Sequence, residues 1–305
     1  RTLNSKDFIF TSELSAYNDK QILSLKSKIS DQEFFEFIYS IDPKTYLLNF
    51  DIRSSGMSSL LNSKVNPVVE IKNRVFRNSK SINYENMYTE LTYGYEDDKV
   101  DYLSATGEDE ETENEVRWVS FRQHFFSSII IPKEKISEVS FSSVNLADRD
   151  DLDQVYTKDF SISFPIKYSS GNFDSGFEFY FGPSDHQILK SYDRDLESSV
   201  SLGWGIFGWI NKFVFLPLFG FLSSFLPYGI SIIVMTIIAR LAMSPVTYKS
   251  YVSQVKMKIL RPEIEQINKK FKDDAIKRQQ ETMSLYSQAG ANPMSGCIPA
   301  LIQLP

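Results

Sequence analysis

The sequence predicts a multidomain membrane protein in which a large all-β sandwich precedes a region of α-helices. The charge is divided, because residues 1–200 carry 22 Lys and Arg against 34 Asp and Glu, a net of −12, whereas residues 201–305 carry 11 against 5, a net of +6. Short runs rich in Phe, Tyr, Val and Ile alternate with polar residues in the first region, as strands do. Apolar residues then concentrate between Leu202 and Val246. The two regions are therefore expected to lie in different surroundings.

Residues 1–200 are predicted to form the β domain. Clusters of Asn, Gly, Asp and Pro separate its apolar runs, and such clusters mark turns. The clearest predicted strands span residues 46–52, 88–95, 117–131, 158–168 and 177–181. Residues 107–115 hold six carboxylates, which calcium could bind, but such a run is more typical of a solvated hairpin tip. Residues 184–199 change to helical spacing and are predicted to form a connector helix.

Residues 201–226 combine many Trp and Phe residues with a single charge, Lys212. A membrane span and an interfacial amphipathic helix both fit this composition. Pro217, Gly220 and the Ser223–Ser224 pair weaken the spanning interpretation, and aromatic residues favour the headgroup boundary. The pattern therefore favours an interfacial helix.

Residues 227–247 are predicted to form a transmembrane helix. The apolar stretch 228–246 would measure about 28 Å as a helix, close to the ~30 Å thickness of the hydrocarbon. Its one charge is Arg240. A cation within a span costs at least ~2.5–3.5 kcal/mol, so its presence needs a reason. The side chain could snorkel to the headgroups or face a polar cavity, and position alone does not separate these readings.

Residues 248–290 are rich in Lys and Arg, which the positive-inside rule places in the cytoplasm. Their pattern predicts a coiled-coil-like helical hairpin, and residues 291–305 are predicted to begin the next transmembrane helix. Asp273 and Asp274 are candidates to cap the second helix of the hairpin. Apolar residues at steps of three and four form a predicted seam on the first helix, and others face it from the second. The first set is Met257, Leu260, Ile264, Ile267 and Phe271, and the second is Ile276, Met283 and Tyr286.

The residues expected of an enzyme are scarce. The only histidines are His124 and His186, and the only cysteine is Cys297. The sequence contains no nucleophile elbow, Gly-rich phosphate loop or CxxC pair, so acyl transfer, nucleotide binding and thiol chemistry lack their usual motifs. We therefore expect no catalytic activity, no metal site and no cofactor.

Three segments resemble the YidC-type membrane protein insertases of Gram-negative bacteria. Ile-Ala-Arg-Leu-Ala-Met-Ser-Pro at 238–245 is similar to that family's second transmembrane helix, and Lys-Met-Lys-Ile-Leu-Arg-Pro-Glu-Ile at 256–264 to the start of its cytoplasmic hairpin. Asn-Pro-Met-Ser-Gly-Cys-Ile-Pro-Ala-Leu-Ile-Gln-Leu-Pro at 292–305 resembles the entry to its third transmembrane helix. Gln-His-Phe-Phe at 123–126 and Phe-Gly-Pro at 181–183 resemble parts of its periplasmic domain.

The resemblance implies a β-supersandwich in the periplasm and a helical core in the bacterial inner membrane, which the chain would cross more than once. It implies a groove that is open to the cytoplasm and lipid, in which Arg240, Thr236 and Gln303 would contact incoming membrane proteins. The implied partners are nascent membrane proteins, lipids, the Sec translocon, ribosomes and signal-recognition targeting factors, with no recognition of nucleic acid sequence. It also implies a fragment that lacks the first and the C-terminal transmembrane helices.

Two other functions remain open on the sequence. The β domain could bind carbohydrate at the membrane surface, or it could serve as a scaffold in envelope assembly. The first would need paired carboxylates near a histidine in one cleft. A plain membrane anchor, in turn, would not need Arg240 or the motif at 292–305.

Overall fold

The computed structural model describes residues 3–62, 65–104, 106–149, 155–169, 171–272 and 274–291. Contacts between residues divide the chain into two compact units, Arg1–Val200 and Ser201–Pro305. The described part of the first unit contains strands and a few short helices, whereas that of the second contains helices alone. The division falls where the sequence changes from acidic to basic.

The first unit is built from antiparallel strands, thirteen of them in its described residues. They are β1 (Thr11–Tyr17), β2 (Lys20–Lys28), β3 (Phe34–Ile41), β4 (Leu47–Ser55), β5 (Val68–Phe76), β6 (Glu90–Tyr95), β7 (Lys99–Tyr102), β8 (Glu108–Glu113), β9 (Val116–Arg122), β10 (Phe126–Pro132), β11 (Val139–Asn145), β12 (Tyr156–Pro165) and β13 (Phe173–Pro183).

These strands form two sheets of unequal size. The larger has nine strands in the order β1-β2-β3-β4-β13-β10-β9-β6-β7, and the smaller has four in the order β5-β12-β11-β8. In β12, every second side chain from Lys158 to Phe164 is buried, while Asp159, Ser161 and Ser163 are only partly covered. That alternation is the period of two from which strands were predicted. The predicted fold class, a large β-sandwich followed by membrane-type helices, is confirmed.

Aromatic side chains join the two sheets. Phe121 of the larger sheet stacks on Phe160 of the smaller with ring centroids 5.4 Å apart. Tyr93 stacks in the same way on Phe141 at 4.3 Å. Such pairs add a geometric preference to the free energy of burying the rings. The core therefore lies between the sheets.

The connector after β13 is shorter in its helices than the sequence predicted. The first helix of this unit is α1 (Ile82–Asn86), and residues 184–199 form α2 (His186–Lys190) and a separate 3-10 turn at Leu196–Ser199. Asp193 and Asp195 between them adopt φ of 55° and 59°, which an α-helix cannot include. The prediction of one helix is therefore wrong, because these left-handed residues turn the chain.

The connector packs on the outer face of the larger sheet. Leu189 and Leu196 are fully buried there against Trp118, Ile129 and Tyr180. These contacts form a second apolar cluster, which is separate from the core between the sheets. The connector therefore belongs to the fold of the first unit.

The acidic run forms an edge strand, so the prediction of a hairpin tip is wrong. β8 (Glu108–Glu113) pairs with β11 along its whole length. Two carboxylates serve the fold, since Asp109 accepts a hydrogen bond from the Ser104 backbone N–H at 2.7 Å and Glu111 accepts one from the Tyr93 hydroxyl at 2.6 Å. Charged side chains on an edge strand discourage pairing with other chains.

The second unit is mainly helical in its described residues from Gly205 to Gln288, with short turns between the helices. Its helices are α3 (Gly205–Ile210), a π-helical segment (Asn211–Phe215), α4 (Leu216–Ser223), α5 (Tyr228–Ile259), α6 (Arg261–Lys270) and α7 (Ala275–Gln288). By length and composition, the stretches Gly205–Ser223 and Tyr228–Ile259 could each cross a membrane.

Candidate functional site

Arg240 and Thr236 lie on α5, four residues apart and therefore on one face of the helix. Both side chains are exposed. Arg240 makes no hydrogen bond or ion pair with any residue that the structure describes. The Thr236 hydroxyl donates to the Ile232 carbonyl at 2.8 Å, so its proton is satisfied by its own helix and its oxygen can still accept. This face therefore offers one unpaired cation and one acceptor.

The position of Arg240 along α5 places it deep in any bilayer that the helix crosses. Arg240 lies twelve residues after Tyr228, or about 18 Å along the axis. The whole helix has 32 residues, about 48 Å, which exceeds the ~30 Å of hydrocarbon. Its last turns, with Lys249, Lys256 and Lys258, would therefore project beyond the hydrocarbon.

Pro245 adds a second polar feature to this part of α5. It lies inside the helix and has no backbone N–H, so the Leu241 carbonyl loses the donor it would normally receive from four residues ahead. A free carbonyl at membrane depth is tolerated where it meets protein or a hydrated cavity. Arg240 is the neighbour of Leu241 in the chain. The unpaired cation and the free carbonyl thus occur in the same turn.

The aromatic segment before α5 is helical but irregular. Pro217 lies in the first turn of α4, and the Leu216 backbone N–H bonds to Asn211, which widens the preceding turn into the π-helical segment. Before it, the backbone folds back so closely that a Cβ on Gly208 would lie 2.3 Å from the Gly203 carbonyl oxygen. The segment is also apolar enough to span a membrane, so its placement at the interface stays a prediction.

The first arm of the predicted hairpin is not one helix. α5 extends through Met257 to Ile259, and α6 begins at Arg261 after a break at Leu260. Pro262 is the physical reason, because a proline is accepted in the first turn of a helix but not in its interior. The predicted seam therefore crosses a joint. Its five residues, Met257, Leu260, Ile264, Ile267 and Phe271, are all half-buried.

The second arm, α7, presents a different face from the one expected. Ile276 and Met283 are exposed, at 73% and 52% of their surface. The half-buried residues from Ala275 to Ala289 follow helical spacing and include Tyr286 of the predicted face; they are Arg278, Thr282, Leu285, Tyr286 and Ala289. The predicted face was therefore wrong at Ile276 and Met283, because apolar character alone does not tell which side of a short amphipathic helix packs. The Asp274 side chain accepts from the Lys277 backbone N–H at 3.0 Å and caps α7 as predicted.

Some predicted residues lie outside the described part of the chain. These are Asp273, Gln303, Cys297 and the whole segment 291–305 apart from Ala291. The groove that the resemblance implies also needs helices beyond α5. Of the three residues expected in such a groove, the described part of the chain includes Arg240 and Thr236, both on α5.

The β unit holds a buried cation that the sequence analysis missed. Lys158 is 1% exposed, and its Nζ has no hydrogen-bond partner among the described residues. Burial lowers the pKa of Lys158 to about 8, an effect that Glu90 opposes and Arg122 reinforces. Glu90 and Arg122 themselves form an ion pair of 2.6 Å. Lys158 lies two residues before Phe160 and four before Ile162, on the same inward face of β12. This period of two was the sequence signal that could have predicted its burial.

The two histidines do not form a reactive centre. The ring of His124 stacks on Tyr88 at 4.4 Å and on Phe125 at 3.9 Å. Within the described residues, no group of three or more His, Cys, Asp and Glu side chains could hold a metal ion.

Comparison with known proteins matches both regions to family models. Residues 2–217 match the model described as the YidC periplasmic domain, and residues 220–305 match the model described as the 60Kd inner membrane protein. Among solved structures, a ligand-free α-N-acetylgalactosaminidase from Bifidobacterium bifidum overlaps 64% of the chain with a TM-score of 0.40 and 11% identity. That likeness is too distant to bear on function.

Curated relatives extend over the whole chain. The chain is 36% identical over 318 residues to a membrane protein insertase YidC of Parabacteroides distasonis, covering all of this chain and 49% of that protein. It is 35% identical to the protein of the same name in Bacteroides fragilis, with 99% and 50% coverage, and 32% identical to that of Porphyromonas gingivalis, with 100% and 50%. The chain thus spans about half the length of these relatives, and it belongs to the YidC family of membrane protein insertases.

Proposed function

We propose that the protein containing this chain inserts proteins into the bacterial inner membrane and helps them fold there. The single observation that carries the proposal is Arg240 on an apolar helix, with no partner among the residues that the structure describes. A helix that only anchors a domain gains nothing from a cation at that depth and is destabilised by it. A helix that lines a hydrated groove uses the same cation to bind.

The proposed topology follows from charge. Residues 248–290 are basic and lie in the cytoplasm, while the acidic residues 1–200 lie in the periplasm. α5 then runs from the outside to the inside, and residues 291–305 begin a return across the membrane. The chain is therefore multi-pass.

The proposed mechanism is that the groove shortens the barrier for a polar segment. A client segment leaves the cytoplasm along hydrated polar walls rather than through the full hydrocarbon. Arg240 attracts acidic residues of that segment, and a partly desolvated cavity has a lower effective dielectric than water, which strengthens the attraction. The Thr236 oxygen accepts a hydrogen bond on the same face, and Gln303 faces the groove from the next helix. No covalent step is involved.

The hairpin is proposed as the surface that receives clients. Its basic outer residues would meet anionic lipid headgroups, ribosomes or signal-recognition targeting factors. The half-buried seam from Met257 to Phe271 would hold its helices together, and Met283, which is exposed, is free to contact a partner. The same proposal includes action of the protein together with the Sec translocon.

Substitutions of Arg240 test the electrostatic role. With a model client whose short translocated tail is acidic, Arg240→Lys should retain most insertion, Arg240→Ala should impair it and Arg240→Glu should impair it further. The measurement is protease protection of the tail in cells depleted of the native protein. A client with a neutral tail is the control, and it should respond less. Equal insertion of the acidic client in all three variants would contradict the electrostatic role.

A further inference from the structure

The side chain of Lys256 joins two helices that are far apart in sequence. Its Nζ, on the last turn of α5, donates to the carbonyl of Ala289 at 3.2 Å and to that of Gly290 at 3.4 Å. Both carbonyls belong to the C-terminal end of α7. The contact therefore ties the end of the hairpin back to the projecting part of the membrane-type helix.

The end of α7 is built to receive such a cation. Gly290 adopts φ of 58°, its N–H bonds to the Ser287 carbonyl at 3.1 Å, and the N–H of Ala291 bonds to the Tyr286 carbonyl at 2.9 Å. This is the Schellman arrangement, which satisfies earlier carbonyls and leaves the last ones to other donors. The C-terminus of a helix also carries a partial negative charge, so an ammonium is favoured there over a neutral donor.

The joint at Leu260 gives this contact its importance. A single residue, Leu260, separates α5 from α6 and belongs to neither helix, and α7 follows α6. A single joint of this kind lets the hairpin pivot about α5. The Lys256 contact supplies a second point of attachment, through the end of α7 rather than the start of α6, and two points define an orientation.

The neighbouring lysine provides an internal comparison. Lys258 lies two residues further along the same helix, is exposed, and has no hydrogen bond or ion pair with the described residues. Both lysines carry one charge at the same distance from the apolar span, to within a turn. They differ in the contact with α7.

We propose that Lys256 is a positioning residue, which holds the end of α7 against α5 and so fixes the orientation in which the hairpin passes a client to the face of Arg240. The proposal rests on the proposed insertase function and adds to it the residue that orders the hairpin. Lys256 acts through the two carbonyls and does not need to touch the client.

Spin labels on two exposed positions test the orientation. Tyr251→Cys on α5 and Ile276→Cys on α7 are introduced into the full-length protein, with Cys297 replaced by serine, in lipid nanodiscs. Distance distributions are compared for the parent, Lys256→Met, Lys256→Arg and Lys258→Met. We expect one narrow distribution for the parent, for Lys256→Arg and for Lys258→Met, and a broad one for Lys256→Met. Insertion of a model client should fall about two- to fivefold in Lys256→Met alone, the size of a helix-terminus charge effect.

Three results would overturn the proposal. A narrow distribution in Lys256→Met would show that the contact does not orient the hairpin. Equal broadening in Lys256→Met and Lys258→Met would assign the effect to charge near the headgroups. A broad distribution with unchanged insertion would show that the orientation of the hairpin does not affect insertion. Insertion by the parent protein is measured in the same preparation, so a failure of the proposed function appears there and not in the distances.

Discussion

The two units of the chain place their apolar side chains in opposite ways. In the first unit the large apolar residues, such as Trp118, Phe160 and Ile162, are buried within the fold. In the second unit residues such as Ile233 and Leu241 of α5 are exposed, at 60% and 66% of their surface. The first unit thus buries its large apolar residues within its own fold, whereas the apolar surface of the second needs lipid or further helices to cover it. A cation is buried in the first and exposed among apolar residues in the second.

The largest expected effect is in the β core. Phe160→Ala should lower the free energy of unfolding of residues 1–200, expressed alone, by about 3–5 kcal/mol, because it removes a fully buried ring that stacks on Phe121. Denaturant unfolding followed by circular dichroism measures it. Phe126→Ala is the matched control, since that ring is 57% exposed, and should change stability little. If residues 1–200 do not fold alone, the first unit is not self-sufficient and the comparison fails.

Lys158 should make the stability of the same unit depend on alkaline pH. Its pKa is about 8 when folded and 10.5 when unfolded, so below pH 8 both states are protonated and the full cost of burying the charge remains. Between pH 8 and 10.5 the folded state loses its proton first, and stability rises with pH. Lys158→Met should therefore stabilise the unit by about 2–4 kcal/mol at pH 7 and by much less at pH 10.5.

The control for this prediction is Lys167→Met. That side chain is 89% exposed, so its substitution should change the stability little. Parallel pH profiles for Lys158→Met and Lys167→Met would mean that Lys158 is hydrated and ordinarily titrating. Glu90 and Arg122 remain in both variants, so the comparison isolates the ammonium.

In the second unit the expected effects are smaller, because its described helices bury little surface. Asp274→Ala should destabilise α7 by about 0.5–2 kcal/mol through loss of the N-cap to the Lys277 backbone N–H. Amide hydrogen exchange in the first turn of α7 measures this. Asp274→Asn preserves the acceptor and should retain most protection. Faster exchange in both variants would point to charge rather than to the cap.

Sequence patterns predicted those elements in which apolar residues repeat with a single period along the chain. The alternation of apolar residues placed β4, β6, β12 and β13, and the charge split coincides with the division into units. The single strand predicted over 117–131 was wrong in one respect, because the chain reverses at 123–125 and forms two antiparallel strands, β9 and β10. The apolar run, interrupted only by Arg240, predicted α5 within its true extent. These features depend on local residue order and on hydrophobic burial, which a sequence displays directly.

Other features depended on contacts that no local pattern contains. The acidic run was predicted to be a solvated tip because the sequence shows its charges but not its pairing with β11. The connector looked like one helix because left-handed Asp193 and Asp195 are not apparent from composition. Met283 was predicted to pack within the hairpin because it is apolar. Which face of α7 is buried depends on the helix that lies against it, and the sequence of α7 alone does not show this. The Lys256 contact with Gly290 spans 34 positions and could not be inferred from spacing.

The central claim is that Arg240 faces a hydrated groove and not lipid. The most direct measurement is the rate at which a membrane-impermeant thiol reagent, added from the cytoplasmic side, modifies Arg240→Cys in the full-length protein with Cys297 replaced by serine. Leu241→Cys, one residue away and on a different face of α5, is the matched control. We expect rapid labelling of Arg240→Cys and slow labelling of Leu241→Cys. Equally slow labelling of both positions would mean that this turn lies in lipid and that Arg240 reaches the headgroups by its length alone.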